Sequence, residues 1–302
     1  MINVDNTLLC DFKKCQAMGI ARHGLGLCGR GEKLAADIGN VFHAGLEAHF
    51  RGKGIKEVAA IFEQAHRQVV PYGEVPEKAE YLLENCLKIM KRFCQVRPVE
   101  KWPFEAVEFE QVVGAELAPG IMFWAKRDLR VRDRQTGKHS PLDHKTRHGV
   151  ITDWWAQKFR MGSQLTGYCW IEQATSGELC LEAYVNAIEV KQVPGDSKKC
   201  RLHGVPYFEC GVEHINMQVF TFSRTPEMIE RWKGDAIGIA GQFEITSRAF
   251  PSVEYLRFAE RGGAFTEGCT FCEFKKWCAS DFHPDLKEEL TVYAPWKPWE
   301  LV

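Results

Sequence analysis

Apolar positions along the chain follow two periods, and the change from one to the other outlines the fold. Over residues 32–50, Leu34, Ile38, Val41, Phe42 and Leu46 recur at helical spacing and predict a helix with one apolar stripe. Two more helical patterns cover 55–70 and 77–95, separated by the breaker Pro71-Tyr72-Gly73. A shorter helix is predicted from about residue 6, capped by Asn6 or Thr7 with Phe12 inward. From residue 104 the period becomes two. Strands are predicted over 104–113, 121–131 and 140–146, the last two joined by the polar turn Asp133-Arg134-Gln135-Thr136-Gly137-Lys138. A helix over 150–174 follows, with Asp153 as cap and Trp155, Phe159, Met161, Leu165, Tyr168 and Trp170 along it. Strands over 179–190 and 207–222, connected through Pro194-Gly195-Asp196, precede a helix over 225–245. The Pro- and Trp-rich tail 281–302 is expected to pack as an irregular strap.

Composition narrows the class only a little. The 302 residues suit one large domain or two modest ones, and 45% hydrophobic residues suit an ordinary core. Lys+Arg total 39 against 40 Asp+Glu, so no overall basic charge advertises nucleic acid. Affinity for DNA would have to come from local patches, for which Lys13/Lys14, Arg127/Arg130/Arg132/Arg134 and Lys198/Lys199/Arg201 are candidates, or from bound metals. Each patch alone reads more readily as solvated surface. No run of about 18 apolar residues is present, so no membrane span is expected. The first six residues have neither a basic segment nor a following apolar run, so no signal peptide is expected. The expected location is therefore the cytoplasm, where the twelve cysteines should be free thiols or metal ligands. The glycine-rich run 24–31 completes no phosphate-binding pattern.

The candidate chemistry centres on Asp143-His144-Lys145, at the end of the third predicted strand. A period of two puts Asp143 and Lys145 on one face. There a carboxylate can hold a hard cation and an ammonium can orient a water or stabilise developing negative charge. The acid-x-Lys pattern occurs six times in the chain and is not specific by itself. Context selects Asp143, because the predicted hairpin brings Asp128 of the preceding strand alongside it. In the helix over 32–50, His43 lies near the apolar stripe with Glu47 one turn on. Its ordinary reading is a core histidine, but Gly39 and Gly45 on either side suggest close approach by another element. Glu108 and Glu110 alternate with Val107 and Phe109, and one of them could reach the same site, although exposed strand carboxylates are commoner. Gln164 and Tyr168, four apart, share a helical face.

A second signal is Cys269, Cys272 and Cys278, spaced C-x2-C-x5-C. Three thiolates this close suit a structural zinc or an iron–sulfur cluster, each wanting a fourth ligand. His283 could complete a zinc site; alternatively a distant cysteine, Cys15 with Cys10 in reserve, could complete a cluster. By the arithmetic of chain crosslinks, joining Cys15 to Cys269 would remove on the order of 5 kcal/mol of unfolded-state entropy. Such a metal group would be structural.

Taken together, Gly39-x3-His43-x2-Leu46-Glu47, Asp128, Asp143-His144-Lys145 and Gln164-x3-Tyr168 resemble, in order, the motifs of the PD-(D/E)XK nuclease superfamily in its RecB-like exonuclease branch. The flanking cysteines resemble its iron–sulfur members, including CRISPR-associated and phage exonucleases. The resemblance spans about residues 5–280. It implies an α/β (α+β) restriction-endonuclease-like fold, a mixed central sheet flanked by helices. It also implies a single nuclease domain over 1–302, a helical insertion or lid at 53–97, and termini 1–28 and 265–302 stapled by a 4Fe-4S cluster on Cys15, Cys269, Cys272 and Cys278. His43, Asp128, Asp143 and the His144 backbone carbonyl would bind Mg²⁺ or Mn²⁺ in a two-metal site. Lys145 would be the catalytic lysine, with Gln164 and Tyr168 meeting substrate. Gln16 stands where the family usually has proline after the first cysteine, and Asp143 where it often has Glu. The implied activity is exonucleolytic hydrolysis of linear or single-stranded DNA in recombination, repair or phage DNA processing, with a helicase or recombinase as the class of partner. The alternatives are a structure-specific endonuclease and a non-catalytic DNA-binding scaffold on the same fold.

Overall fold

A computed structural model describes residues 1–30, 34–70, 76, 78–191, 204–205, 215–262, 269 and 272–300. In chain order, strand β1 (Ile2–Asp5) leads into helix α1 (Asn6–Lys14), the short α2 (Gln16–Gly19), one π turn (Ile20–Gly24) and β2 (Leu27–Gly29). Helices α3 (Leu34–Phe50), α4 (Ile55–Val69) and α5 (Leu83–Val96) follow. Three strands come next, β3 (Phe104–Ala118), β4 (Ile121–Asp133) and β5 (His139–His148). Helices α6 (Asp153–Arg160) and α7 (Ser163–Ser176), strands β6 (Glu182–Val190) and β7 (Met217–Ser223), and the long helix α8 (Pro226–Ala249) complete the central part. The C-terminal segment carries α9 (Lys275–Ala279), α10 (Lys287–Leu290) and β8 (Thr291–Tyr293).

The main sheet is mixed, as expected, and helices cover both faces. Strand β4 pairs antiparallel with β3 along one edge. Its other edge is shared: β1 pairs parallel with Ile121 to Trp124, and β5 pairs antiparallel with Leu129 to Arg132. Strand β5 continues in parallel with β6, and β6 in antiparallel with β7. Alternation along β6 separates the two cores. Ala183, Val185 and Ala187 join Phe12, Phe123, Tyr168, Trp232 and Trp277 on the side of α1, α7 and α8. Tyr184, Ile188 and Val190 join Phe42, Phe62, Ile89 and Phe93 on the side of α3, α4 and α5. Helices α4 and α5 thus bury their apolar stripes against α3 and the sheet, with Cys86 and Cys94 packed inside.

Several local expectations are corrected. The cap of α1 is Asp5, whose Oδ1 accepts from Leu8 N at 2.8 Å, and that of α6 is Thr152, whose hydroxyl accepts from Trp155 N at 3.1 Å. Each is the last extended residue before its helix, which leaves its side chain free to turn back over the first turn. The helix expected over 150–174 is two. The chain extends at Gly162, and the buried Arg224 donates to the Phe159 carbonyl at 2.9 Å and the Thr166 hydroxyl at 2.8 Å, holding the break. Strand β3 runs five residues beyond its expected end, and β1, β2 and β8 are strands that the pattern did not show. The breaker 71–73, the connection 194–196 and the basic patch 198–201 lie outside the described residues.

Candidate active site

Strands β1 and β5 together leave part of one edge of β4 open. The ladder with β1 ends at Trp124 and that with β5 begins at Leu129, so Ala125 to Asp128 face a fork. Leu129 pairs with Leu142, which makes Asp128 and Asp143 the first residues past the end of the β4–β5 ladder. The hairpin expectation therefore holds. Backbone groups in a buried fork need partners, and the side chains expected at the site supply them. Asp128 Oδ2 accepts from His144 N at 2.6 Å. His43 Nε2 donates to the His144 carbonyl at 3.1 Å. The Tyr168 hydroxyl donates to the Lys126 carbonyl at 2.8 Å.

Helix α3 delivers His43 to this fork. A Cβ at Gly39 would stand 3.3 Å from Thr146 Oγ1 of β5, so the missing side chain lets α3 lie close on the strand. Gly45 answers a different need, since a Cβ there would collide with Phe62 of α4 at 2.7 Å. Asp143, 1% exposed, is held from two sides. Lys145 Nζ lies 2.5 Å from Oδ2, and Gln164 Nε2 donates to Oδ1 at 3.2 Å and to the Tyr168 hydroxyl at 2.9 Å. The His144 ring is edge-on to the His43 ring at 5.8 Å, stacked on Phe50 and hydrogen-bonded to Asn186 at 3.0 Å. Only its backbone belongs to the site.

The strongest new member is Glu110. Its backbone is left-handed, φ 48°, which in a non-glycine residue costs about 1–2 kcal/mol. The consequence is a slip in alternation at one level of the sheet. Glu108 and Gln111, three apart, both accept from Arg127, and Arg127 and Arg130, also three apart, both donate to Glu172 of α7. Glu110 and Asp128 are thereby turned together toward α3. His43 Nδ1 is 3.4 Å from Asp128 Oδ1 and 3.9 Å from Glu110 Oε1, and Lys126 Nζ is 2.7 Å from Glu110 Oε2. Among the described residues, His43, Glu110 and Asp128 are the set whose ligand atoms all lie within 4.8 Å of one another. Two carboxylates and an imidazole suit a divalent cation of the Mg²⁺ or Mn²⁺ type. The sequence offered Glu110 only as an alternative, because its orientation depends on a backbone conformation that no local pattern announces.

Electrostatics reflect how closely these charges are collected. Burial disfavours a charged His43, but hydrogen bonds to Asp128 and Glu110 outweigh it and raise the ring to about 10. Burial pushes Asp143 up to about 6, Lys145 pulling against it and Asp128 adding to it. Burial also acts on Asp128, yet His43, through a hydrogen bond and its charge, and Lys145 hold it well below the usual carboxylate range. Lys145 resists desolvation through Asp143 and Asp128, and its ammonium is stabilised. The His144 ring, desolvated, is driven down to about 3 and stays neutral.

The termini meet on the far side of α1. Arg22 donates to both Asp11 and Glu273, Gly29 N donates to Glu273 Oε2 at 3.0 Å, and Ala17 N donates to the Glu260 carbonyl at 3.1 Å. Burial raises the thiols of Cys272 and Cys278, and the neighbouring Cys15 and Cys269 raise both further. Cys10 faces elsewhere, exposed beside Asn6 and lining the groove between α1 and α8. His283 lies beside Asp285, at 3.7 Å.

Comparison with known proteins gives a family and a fold. The family description that matches, over residues 7–279, is that of the PD-(D/E)XK nuclease superfamily. No curated protein matches the sequence. Among solved structures, one from Eubacterium rectale named "Putative exonuclease" superposes with a TM-score of 0.52 at 10% identity, covering 90% of this chain and 86% of that one. A phage related exonuclease from Haemophilus somnus 129PT gives 0.35 at 13% identity, covering 69% of this chain and 95% of that one. At these identities the first supports the fold alone, and the second carries no argument.

Proposed function

The chain belongs to the PD-(D/E)XK nuclease superfamily, and from that premise we propose that it is a divalent-metal-dependent DNA exonuclease of the RecB-like branch. The observation that carries the reading is the fork itself: His43, Glu110 and Asp128 gathered on one side, with the Asp143–Lys145 pair adjoining. In this reading His43, Asp128, Asp143 and the His144 carbonyl hold two Mg²⁺ or Mn²⁺ ions, and Glu110 joins them. Bound there, the ions would polarise the phosphodiester and lower the pKa of a coordinated water.

The chain's own groups do the rest. Lys145, held charged by its acidic neighbours, orients the attacking water and faces the charge that develops on the phosphate. Gln164 fixes the free oxygen of Asp143. Tyr168, whose hydroxyl burial keeps protonated, holds Gln164 against the fork. The first experiment is digestion of end-labelled linear DNA with Mn²⁺ or Mg²⁺, beside covalently closed circles and Lys145→Ala. Stepwise loss of label, intact circles and a loss of at least about a hundredfold in Lys145→Ala are expected. Cut circles would assign an endonuclease instead. No metal-dependent digestion by the unaltered chain would refute the reading.

The same proposal assigns a 4Fe-4S cluster to Cys15, Cys269, Cys272 and Cys278. Support comes from the mutual influence of these thiols and from the separate position of Cys10. Anaerobic purification with iron, sulfide and zinc analysis tests this. Brown protein carrying about four irons is expected, and colourless protein carrying zinc would refute it.

A further inference from the structure

Helix α6 leaves β5 directly beyond Lys145 and presents an unusual outer face. Trp155, Ala156 and Phe159 are buried, and the opposite positions Trp154, Gln157, Lys158 and Met161 line up at spacings of three and four. Trp154 is 79% exposed and Met161 72% exposed, with Val150 exposed just before the helix. Isolated exposed aliphatic residues need no explanation, but an indole left this open on the helix that joins the strand of Lys145 to the helix of Gln164 does.

Its surroundings are cationic. Lys158 Nζ stands 4.7 Å over the Trp155 ring and 4.8 Å over that of Phe159. Burial lowers its pKa, and the charges of Arg147 and Lys145 lower it further, so three cations converge here. Arg160 follows on the same helix, and Asp153, at its start, is its one carboxylate. Beyond Gly162, α7 begins, and Gln164 at its start touches Asp143. A flat aromatic surface beside a row of cations, running into a phosphodiesterase site, matches a single strand, whose bases stack while its phosphates are neutralised.

We infer that Trp154 is a stacking platform for an unpaired base of single-stranded DNA, with Lys158 and Arg147 holding the phosphates that lead to the fork. This rests on the nuclease reading above and adds to it a strand state and a residue that selects it. An apolar protein partner fits less well, because the cations around the indole would have to be desolvated without counter-charges.

The test separates this inference from the nuclease reading. Binding of a fluorescent single-stranded oligonucleotide is measured in EDTA, where no hydrolysis occurs, for the unaltered chain, Trp154→Ala, Trp154→Phe and Lys145→Ala. One stacked base corresponds to about five- to hundredfold in affinity. Trp154→Ala should therefore weaken binding by about tenfold, and Trp154→Phe should keep most of it. Thermal stability should be unchanged, since the side chain packs on little. The decisive signature is an oligonucleotide with abasic sites. The unaltered chain should prefer the intact strand, and Trp154→Ala should not distinguish them. Equal affinity of Trp154→Ala and the unaltered chain, or loss of self-association in its place, overturns the inference while digestion by the unaltered chain still stands. Failure of digestion would be read in its own assay.

Discussion

Loading the site with a divalent cation should expel a proton from His43, and the size of that effect follows from the structure. With the ring raised to about 10 by Asp128 and Glu110, metal-free protein at about pH 7.5 holds His43 as an imidazolium. A metal ligand must be neutral. Removing the proton at that pH costs roughly 2.5 pKa units, or about 3 kcal/mol, so the apparent Kd for Mn²⁺ should fall about tenfold per pH unit from about pH 7 to near 10. Asp143, raised to about 6, steepens the dependence below that value. Calorimetry in buffers of different ionisation enthalpy counts the protons directly, and about one per site filled at pH 8, released from His43, is expected. The sign for folding is opposite. A raised histidine pKa stabilises metal-free protein fully below the unfolded value of about 6.5, and that contribution is lost as pH rises toward 10. Binding of Mn²⁺ without proton release, and with a Kd unchanged between about pH 7 and 9, would refute the account of His43.

Glu110→Gly should be at least as stable as the unaltered chain, by up to about 1 kcal/mol and a few degrees in Tm, because it relieves the left-handed backbone; its Mn²⁺ affinity should fall, and calorimetry reads both. Tyr168→Phe leaves the Lys126 carbonyl in the fork without its donor, so a loss of about 1–3 kcal/mol is expected in denaturant unfolding, together with slower digestion. Arg22→Ala removes the link between Asp11 and Glu273 and should expose the C-terminal segment to limited proteolysis before the sheet unfolds, with a stability loss of about 2–4 kcal/mol.

What was legible in the sequence was what local pattern controls. The β4–β5 hairpin follows from alternation and a polar turn, and it alone brings Asp128 beside Asp143. The Gln164/Tyr168 pair follows from helical spacing. His43 could be placed only by its order among the other motifs, since an isolated histidine beside an apolar stripe has a plainer reading. The rest depends on tertiary context. Strand β1 has four residues, too few to show a period, and exists because β4 offers an edge. The break at Gly162 is held by Arg224, some sixty residues later. Glu110 was visible only as one of two strand carboxylates that could reach the site, because one left-handed peptide decides which face it joins.

The meeting of the chain's two ends constrains its assembly. Glu273 latches onto Arg22 and Gly29, β8 zips onto β2, and Trp296 Nε1 donates to Asp5 Oδ2 at 2.7 Å, on the residue that caps α1. A growing polypeptide therefore completes the contacts around its opening helix only once residues past 290 have emerged from the ribosome. A nascent chain stalled before then would carry every side chain of the fork on an unbuttoned frame, so hydrolytic competence should arrive late in synthesis and all at once.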